Sequence, residues 1–112
     1  TLDDVSEANG TVYLLPYSRA GTREVVPHTK NAQSNDLEGY FGPDPGDPVI
    51  VPAGSIAVFS STVLHRSGFN TTPRWRRVYL PQYSAEPLRR PNGELAAFAE
   101  PFLVNGARRN GR

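Results

Sequence analysis

Residues 61–83, STVLHRSGFNTTPRWRRVYLPQY, gather the side chains best suited to chemistry. His65 is followed by Ser67 two residues on and by Arg76 eleven residues on. A neutral imidazole can ligate a divalent metal or serve as a hydrogen-bonded structural group. An arginine turned into a small β-domain is costly unless it meets an anion, and its planar fork suits a carboxylate. Residues two apart on a strand share a face, so Val63, His65 and Ser67 point one way. On the following stretch Arg76, Val78, Leu80 and Gln82 share a face, with Arg77, Tyr79 and Tyr83 on the other. With GFNTTP as the connection, the two strands would lie antiparallel and bring His65 and Arg76 to one inner surface. Taken singly, each residue has a plainer reading: a satisfied histidine, and an Arg76-Arg77 pair solvated on a strand edge. Only the combination on one face points to a metal and anion site.

The other chemistry-bearing residues form weaker sets. His28, the second histidine, lies in a proline-flanked loop that also holds Asp36, Asp44 and Asp47, but no spacing demands that they meet. FGPDPGDP reads as a solvated acidic turn, because it lacks the run of oxygen ligands a calcium site needs. Asn9-Gly10-Thr11 and Asn70-Thr71-Thr72 match the glycosylation triplet, at turns that want Asn for backbone reasons. Trp75 alternates to the face opposite Arg76, which places it outside, against the long loop or a partner chain. Arg108, Arg109 and Arg112 make a basic, glycine-rich tail without aromatic platforms, a solubilising terminus rather than a nucleic-acid site.

The elements that must position these residues are short. Eleven Pro and ten Gly in 112 residues favour many brief strands over long helices. Asn9-Gly10 reads as a turn feeding a buried strand over residues 12–15. Residues 17–48 are polar and broken by prolines, and read as one long loop. VPAGSIAVFSS reads as strand, turn and strand, with SIAVF buried or half-buried. Residues 61–67 and 71–83 read as two further strands, and residues 94–98 as one or two helical turns. The sum is an all-β domain of the jelly-roll kind, with few strands for a closed barrel. A net charge of +1 gives no field to draw nucleic acid or anionic lipid. No apolar run approaches a membrane span and no signal-peptide pattern opens the chain, so the expectation is a cytoplasmic, non-membrane protein.

VPAGSIAVFSSTVLHRSGFNTTPRWRRVYLPQY, preceded by LDDVSEANGTVYLLPYSRAG, resembles the C-terminal part of the phytanoyl-CoA dioxygenase family, over residues 2–83. HRSGFNTTPRWRR is the specific piece; the NG turn with its apolar strand and the PAG hairpin support it. The resemblance implies an Fe(II)- and 2-oxoglutarate-dependent oxygenase on a partial double-stranded β-helix. Residues 1–88 would be its C-terminal part and residues 89–112 an extension. It implies His65 as an iron ligand, Arg76 as the grip on the far carboxylate of 2-oxoglutarate, and Ser67 as a hydrogen-bond donor to it. The small-molecule substrate is not implied. The sequence also departs from the family: no His-x-Asp or His-x-Glu occurs, and PYSR stands at residues 16–19 where PGSH is common. A chain with one expected ligand of three is then a portion of a longer enzyme, a site completed by another chain, or a non-catalytic scaffold binding a small anion or a partner protein. Half a barrel would leave strand edges open, which predicts a homo-oligomer.

Overall fold

The Asn9-Gly10 turn forms where the sequence places it, and its geometry explains both residues. Gly10 adopts φ 84°, a conformation that costs an L residue roughly 1–2 kcal/mol. A Cβ there would stand 2.7 Å from the Gly68 carbonyl oxygen and 2.9 Å from the Asn70 amide nitrogen. Asn9 ties the turn together: its Oδ1 accepts from the Ser6 amide at 2.9 Å and its Nδ2 donates to the Asp4 carbonyl at 2.8 Å. The computed structural model, which describes residues 1–90, 92–96 and 103–108, continues from this turn into β1 (Val12–Leu14).

β1 is the central strand of a three-stranded antiparallel sheet. On one side it pairs with β4 (Asp47–Pro48), Leu14 opposite Asp47. On the other it pairs with β5 (His65–Ser67), which sets Val12 opposite Ser67, Tyr13 opposite Arg66 and Leu14 opposite His65. A bridge between Asn9 and Asn70 prolongs that second pairing beyond Gly10. Burial gathers around this strand: Leu15 and Val5 are buried, and Thr11 is fully enclosed. The enclosed hydroxyl is tolerated because it donates to the Val49 carbonyl at 2.5 Å.

The path after β5 differs from the sequence expectation. β5 pairs with β1, and residues 71–79 form no ladder with it. Asn70 is the reason. Its Oδ1 accepts from the Thr72 amide at 2.9 Å and its Nδ2 donates to the Arg74 carbonyl at 2.7 Å, an Asx-type turn that sends the chain aside. It then meets the N-terminal segment. The Leu2 amide donates to the Arg77 carbonyl at 3.0 Å, and Asp3 takes the Arg77 amide, Nε and one terminal nitrogen at 2.7, 3.0 and 2.7 Å. These hydrogen bonds from the Arg77 side chain and backbone lower the Asp3 pKa to about 2.

Residues 55–60 also depart from expectation. The turn before them forms, with Gly54 at φ 86° and the Ser55 amide donating to the Pro52 carbonyl at 3.2 Å. Beyond that turn no described strand pairs with the segment; Phe59 is half-buried, but Ile56 and Val58 are 86% and 88% exposed where burial or half-burial was expected. Apolar alternation prepared a strand here, but no neighbouring strand lies within the described residues to cover it.

The stretch read as one loop, residues 17–48, contains regular pieces. Pro16 opens α1 (Tyr17–Ala20), and Gly21, left-handed at φ 75°, closes it with its amide on the Tyr17 carbonyl. β2 (Thr29–Lys30) and β3 (Leu37–Glu38) form a hairpin whose loop is wound on Asn31. The Asn31 Oδ1 accepts from the amides of Gln33 and Ser34 at 2.8 and 3.2 Å. Arg19 then fastens α1 to the turn before β4, with Nε 3.2 Å from Asp44 and a terminal nitrogen 2.6 Å from Asp47. The acidic turn is largely exposed, as expected, and Arg19 clasps it.

The chain divides into two units, Thr1–Tyr79 and Leu80–Arg112. In the second, Arg89 bridges Leu95, and residues 94–96 are not helical as expected; 97 and 98 lie outside the described residues. Backbone pairing explains this, since the Arg90 amide donates to the Glu94 carbonyl and the Ala96 amide to the Leu88 carbonyl, both at 2.8 Å. In the expected tail, β6 (Leu103–Val104) and β7 (Ala107–Arg108) form a hairpin. Asn105 and Gly106, at φ 51° and 75°, supply the positive-φ pair that a two-residue hairpin turn needs. Arg109 and Arg112 lie outside the described residues. Among those described, no helix is long and apolar enough to cross a membrane.

Candidate functional site

An open concavity of about 860 Å³ lies within the first unit, walled by β1, β5 and residues from the segment 24–45. Tyr13, His65, Arg66 and Ser67 line it from the sheet, and His28, Glu38 and Tyr40 from that segment. Arg76 does not line it. The structure therefore brings His65 and Ser67 to one wall and sets Arg76 elsewhere.

β5 carries His65 because the β1 register pins it opposite Leu14. Its Nδ1 lies 2.9 Å from the Val63 carbonyl. A carbonyl only accepts, so the proton is on Nδ1 and the ring's lone pair is on Nε2. The ring also packs against Phe59, centroids 5.2 Å apart. His28 has the same local arrangement, its Nδ1 2.8 Å from the Val26 carbonyl. A Cβ on Gly39 would stand 2.7 Å from its Nε2, so glycine at that position is what leaves room for the ring.

Arg66 is restrained on two sides. Its guanidinium carbon sits 4.0 Å from the centroid of the Tyr13 ring, and its Nε donates to the Pro45 carbonyl at 3.1 Å. Tyr13 in turn donates its hydroxyl to Glu7 at 3.0 Å, and that bond holds the phenol pKa above its ordinary value. Tyr17 is shifted the other way, lowered by hydrogen bonds with Ser60 and Thr62, with Arg23 stacked 5.0 Å from its ring.

Arg76 is half-buried, and its Nε donates to the Asn9 carbonyl at 3.1 Å. Asn9 bridges Asn70, so Arg76 is held at the continuation of the β1–β5 pairing beyond Ser67. No carboxylate among the described residues pairs with it, which leaves its terminal nitrogens free to take an anion. Arg77, by contrast, is consumed by Asp3. Trp75 is 88% exposed and so is not packed against the long loop as expected. Both glycosylation triplets have their Asn side chains engaged in turn hydrogen bonds.

An iron site needs at least three protein ligands of the imidazole and carboxylate type. Among the described residues no group of three His, Cys, Asp or Glu side chains is placed to hold a metal ion. His65 offers one lone pair, and Asp44 is held by Arg19. This donor set does not fit iron by itself.

Sequence reasoning missed Arg66, Tyr13 and Arg19. Arg66 carries no signal by type or spacing, and only the Tyr13 ring across the register shows how it is held. Arg19 carried a signal, since it follows a proline-opened turn and precedes an acidic one. Residues 1–78 match the family model described as phytanoyl-CoA dioxygenase (PhyH). No curated protein and no solved structure matches the chain.

Proposed function

The chain belongs to the phytanoyl-CoA dioxygenase family, and on that footing we propose that it carries one wall of an Fe(II)- and 2-oxoglutarate-dependent oxygenase site. Residues 1–88 are the C-terminal part of that domain and residues 89–112 an extension. His65 is this wall's iron ligand, Arg76 holds the far carboxylate of 2-oxoglutarate, and Ser67 donates a hydrogen bond to it. The carrying observation is His65. Its Nδ1–H is spent on the Val63 carbonyl, which fixes the ring and leaves Nε2 as a ligand nitrogen on the concavity wall. Arg76 supports the reading as a half-buried cation with terminal donors unclaimed by any described carboxylate. The remaining iron ligands come from outside the described residues. Iron and 2-oxoglutarate would supply the oxidising chemistry, while this chain positions the co-substrate.

A second reading has its own observation. Residues 56–59 make no backbone hydrogen bond to any described residue, and residues 55–64 contain no charge and no proline. Such an edge accepts another strand readily, and a second copy carries the same edge. In this reading the chain is a non-catalytic β-domain that self-associates and holds a small anion at Arg76.

Anaerobic titration separates the two. With 2-oxoglutarate added before and after Fe(II), the first reading expects binding that Arg76→Ala removes, and an Fe(II)-dependent gain that His65→Ala removes. Binding abolished by Arg76→Ala with no gain from Fe(II) selects the second. Equal affinity in wild type and Arg76→Ala refutes both.

A further inference from the structure

Arg76 and Arg77 are adjacent, yet the structure treats them differently. The Asp3 carboxylate takes the Arg77 amide, Nε and one terminal nitrogen at 2.7, 3.0 and 2.7 Å, and the Leu2 amide donates to the Arg77 carbonyl at 3.0 Å. Residue 77 is thereby gripped through both backbone polar groups and its side chain. Arg76 turns to another partner, its Nε donating to the Asn9 carbonyl at 3.1 Å. Its terminal nitrogens meet no described carboxylate.

The attachment of this segment is narrow. Residues 75–79 belong to no strand, and every hydrogen bond they make among the described residues runs to Leu2, Asp3 or Asn9. Most of those bonds end on the Asp3 carboxylate. It is the sheltered member of the pair, 24% exposed against 67% for Arg77. Its own backbone is anchored elsewhere in the unit, because the neighbouring Asp4 carboxylate accepts from the Ala53 amide and the Val5 amide donates to the Val51 carbonyl, both at 2.8 Å. With its pKa lowered to about 2 by Arg77, Asp3 is ionised near neutral pH, and hydrogen bonds to an ionised acceptor are the stronger kind. Asp3 is therefore a fixed post to which the segment carrying Arg76 is tied.

We propose that Asp3 is the positioning residue of the Arg76 anion site: by consuming Arg77 it fixes the backbone that carries Arg76, so that the Arg76 terminal nitrogens stand ready for the far carboxylate of 2-oxoglutarate. The inference rests on reading Arg76 as the grip on that co-substrate, and it gives the neighbouring arginine and its acid a part in the grip although neither touches the ligand. Charge and position act with opposite signs here. Removing Asp3 deletes a negative charge and leaves Arg77 an unpaired cation, which by electrostatics alone tightens an anion. Loss of position weakens it.

The test follows two readouts in the full chain: calorimetric affinity for 2-oxoglutarate, and solvent exchange of the Arg76 Nε–H by NMR, assigned by its disappearance in Arg76→Lys. The Gly68 amide, which donates to the Thr11 carbonyl at 2.9 Å, reports in the same spectra whether the sheet is intact. Asp3→Ala should weaken 2-oxoglutarate binding at least about tenfold and speed the Nε–H exchange by a similar factor, the worth of roughly one hydrogen bond to a charged group. Exchange at Gly68 should stay as in wild type. Asp3→Asn keeps one acceptor oxygen, moves both readouts the same way by less, and carries the test alone if Asp3→Ala does not fold. Unchanged or tighter 2-oxoglutarate binding overturns the proposal, as does unchanged Nε–H exchange. So does exchange at Gly68 accelerated as much as at Arg76, because Asp3 would then serve stability alone. A wild type that binds no 2-oxoglutarate refutes the oxygenase reading, and the Nε–H exchange then decides this inference by itself.

Discussion

Replacing Gly10 by alanine tests whether one turn organises both the sheet and the arginine behind it. Two penalties add. The first is conformational: φ 84° costs an L residue roughly 1–2 kcal/mol. The second is steric, because the new Cβ would meet the Gly68 oxygen at 2.7 Å, the Asn70 nitrogen at 2.9 Å and the Phe69 carbonyl carbon at 3.0 Å. These are backbone atoms and cannot rotate away, so the Asn9–Asn70 bridge must open; overpacking of this kind costs about 1–3 kcal/mol. The sum is about 2–5 kcal/mol, a large share of the stability of a small domain. Gly21 provides the control. It has φ 75° but nothing within 4 Å of its Cβ position, so Gly21→Ala carries the first penalty alone. Chemical denaturation of the two variants should give a midpoint for Gly10→Ala clearly below that for Gly21→Ala. Gly10→Ala should also weaken 2-oxoglutarate binding, because the Asn9 carbonyl that orients Arg76 moves with the turn. Equal destabilisation of the two variants would refute the steric part, and unchanged stability of Gly10→Ala would refute both parts.

Three further perturbations have defined outcomes. Asp3, with its pKa lowered to about 2 from 3.8 by Arg77, contributes stability that is present above the unfolded value and lost as pH falls through the folded one. Denaturation midpoints between pH 5 and pH 2 should therefore fall more steeply for wild type than for Asp3→Asn. Thr11→Val leaves the Val49 carbonyl without its donor and should cost about 1–3 kcal/mol by urea denaturation; a neutral effect would show that the hydroxyl is dispensable. Ile56→Lys and Val58→Lys place charges on the unpaired edge, and sedimentation should show a concentration-dependent oligomer in wild type that either change dissolves. A wild-type monomer at all concentrations sinks the self-association reading.

How much of this was legible in the sequence depends on the range of the interaction. The Asn9-Gly10 turn, β1 and the β5 strand around His65 were readable because glycine chemistry and alternation are local signals. The apolar pattern of SIAVF was equally clear and gave the wrong burial for Ile56 and Val58, since a pattern prepares a strand without supplying its neighbour. The pairing of His65's strand was missed for a related reason: the Asx-type turn at Asn70 depends on side-chain hydrogen bonds that compete with a hairpin of the same length. The hairpin over residues 29–38 was hidden in a polar stretch whose organising residue, Asn31, looks like ordinary loop composition. At the site, His65, Ser67 and Arg76 stood out by residue type and by resemblance. Arg66 did not, because its significance lies in the Tyr13 ring that reaches it across the register.

The central place of β1 also bears on how the protein folds. This strand is made early, yet its partner β5 emerges about fifty residues later, a separation that takes roughly 3–10 s to synthesise. Closing a loop of that length costs about 3.5 kcal/mol of chain entropy beyond a constant. The Asp3–Arg77 tie spans still more of the chain. The pairings that join the sheet of the first unit are therefore non-local, and such topologies fold slowly. While β1 waits, its apolar residues and unpaired backbone are open to any passing strand. Yield on refolding should consequently depend on protein concentration more strongly than the stability of the folded chain does.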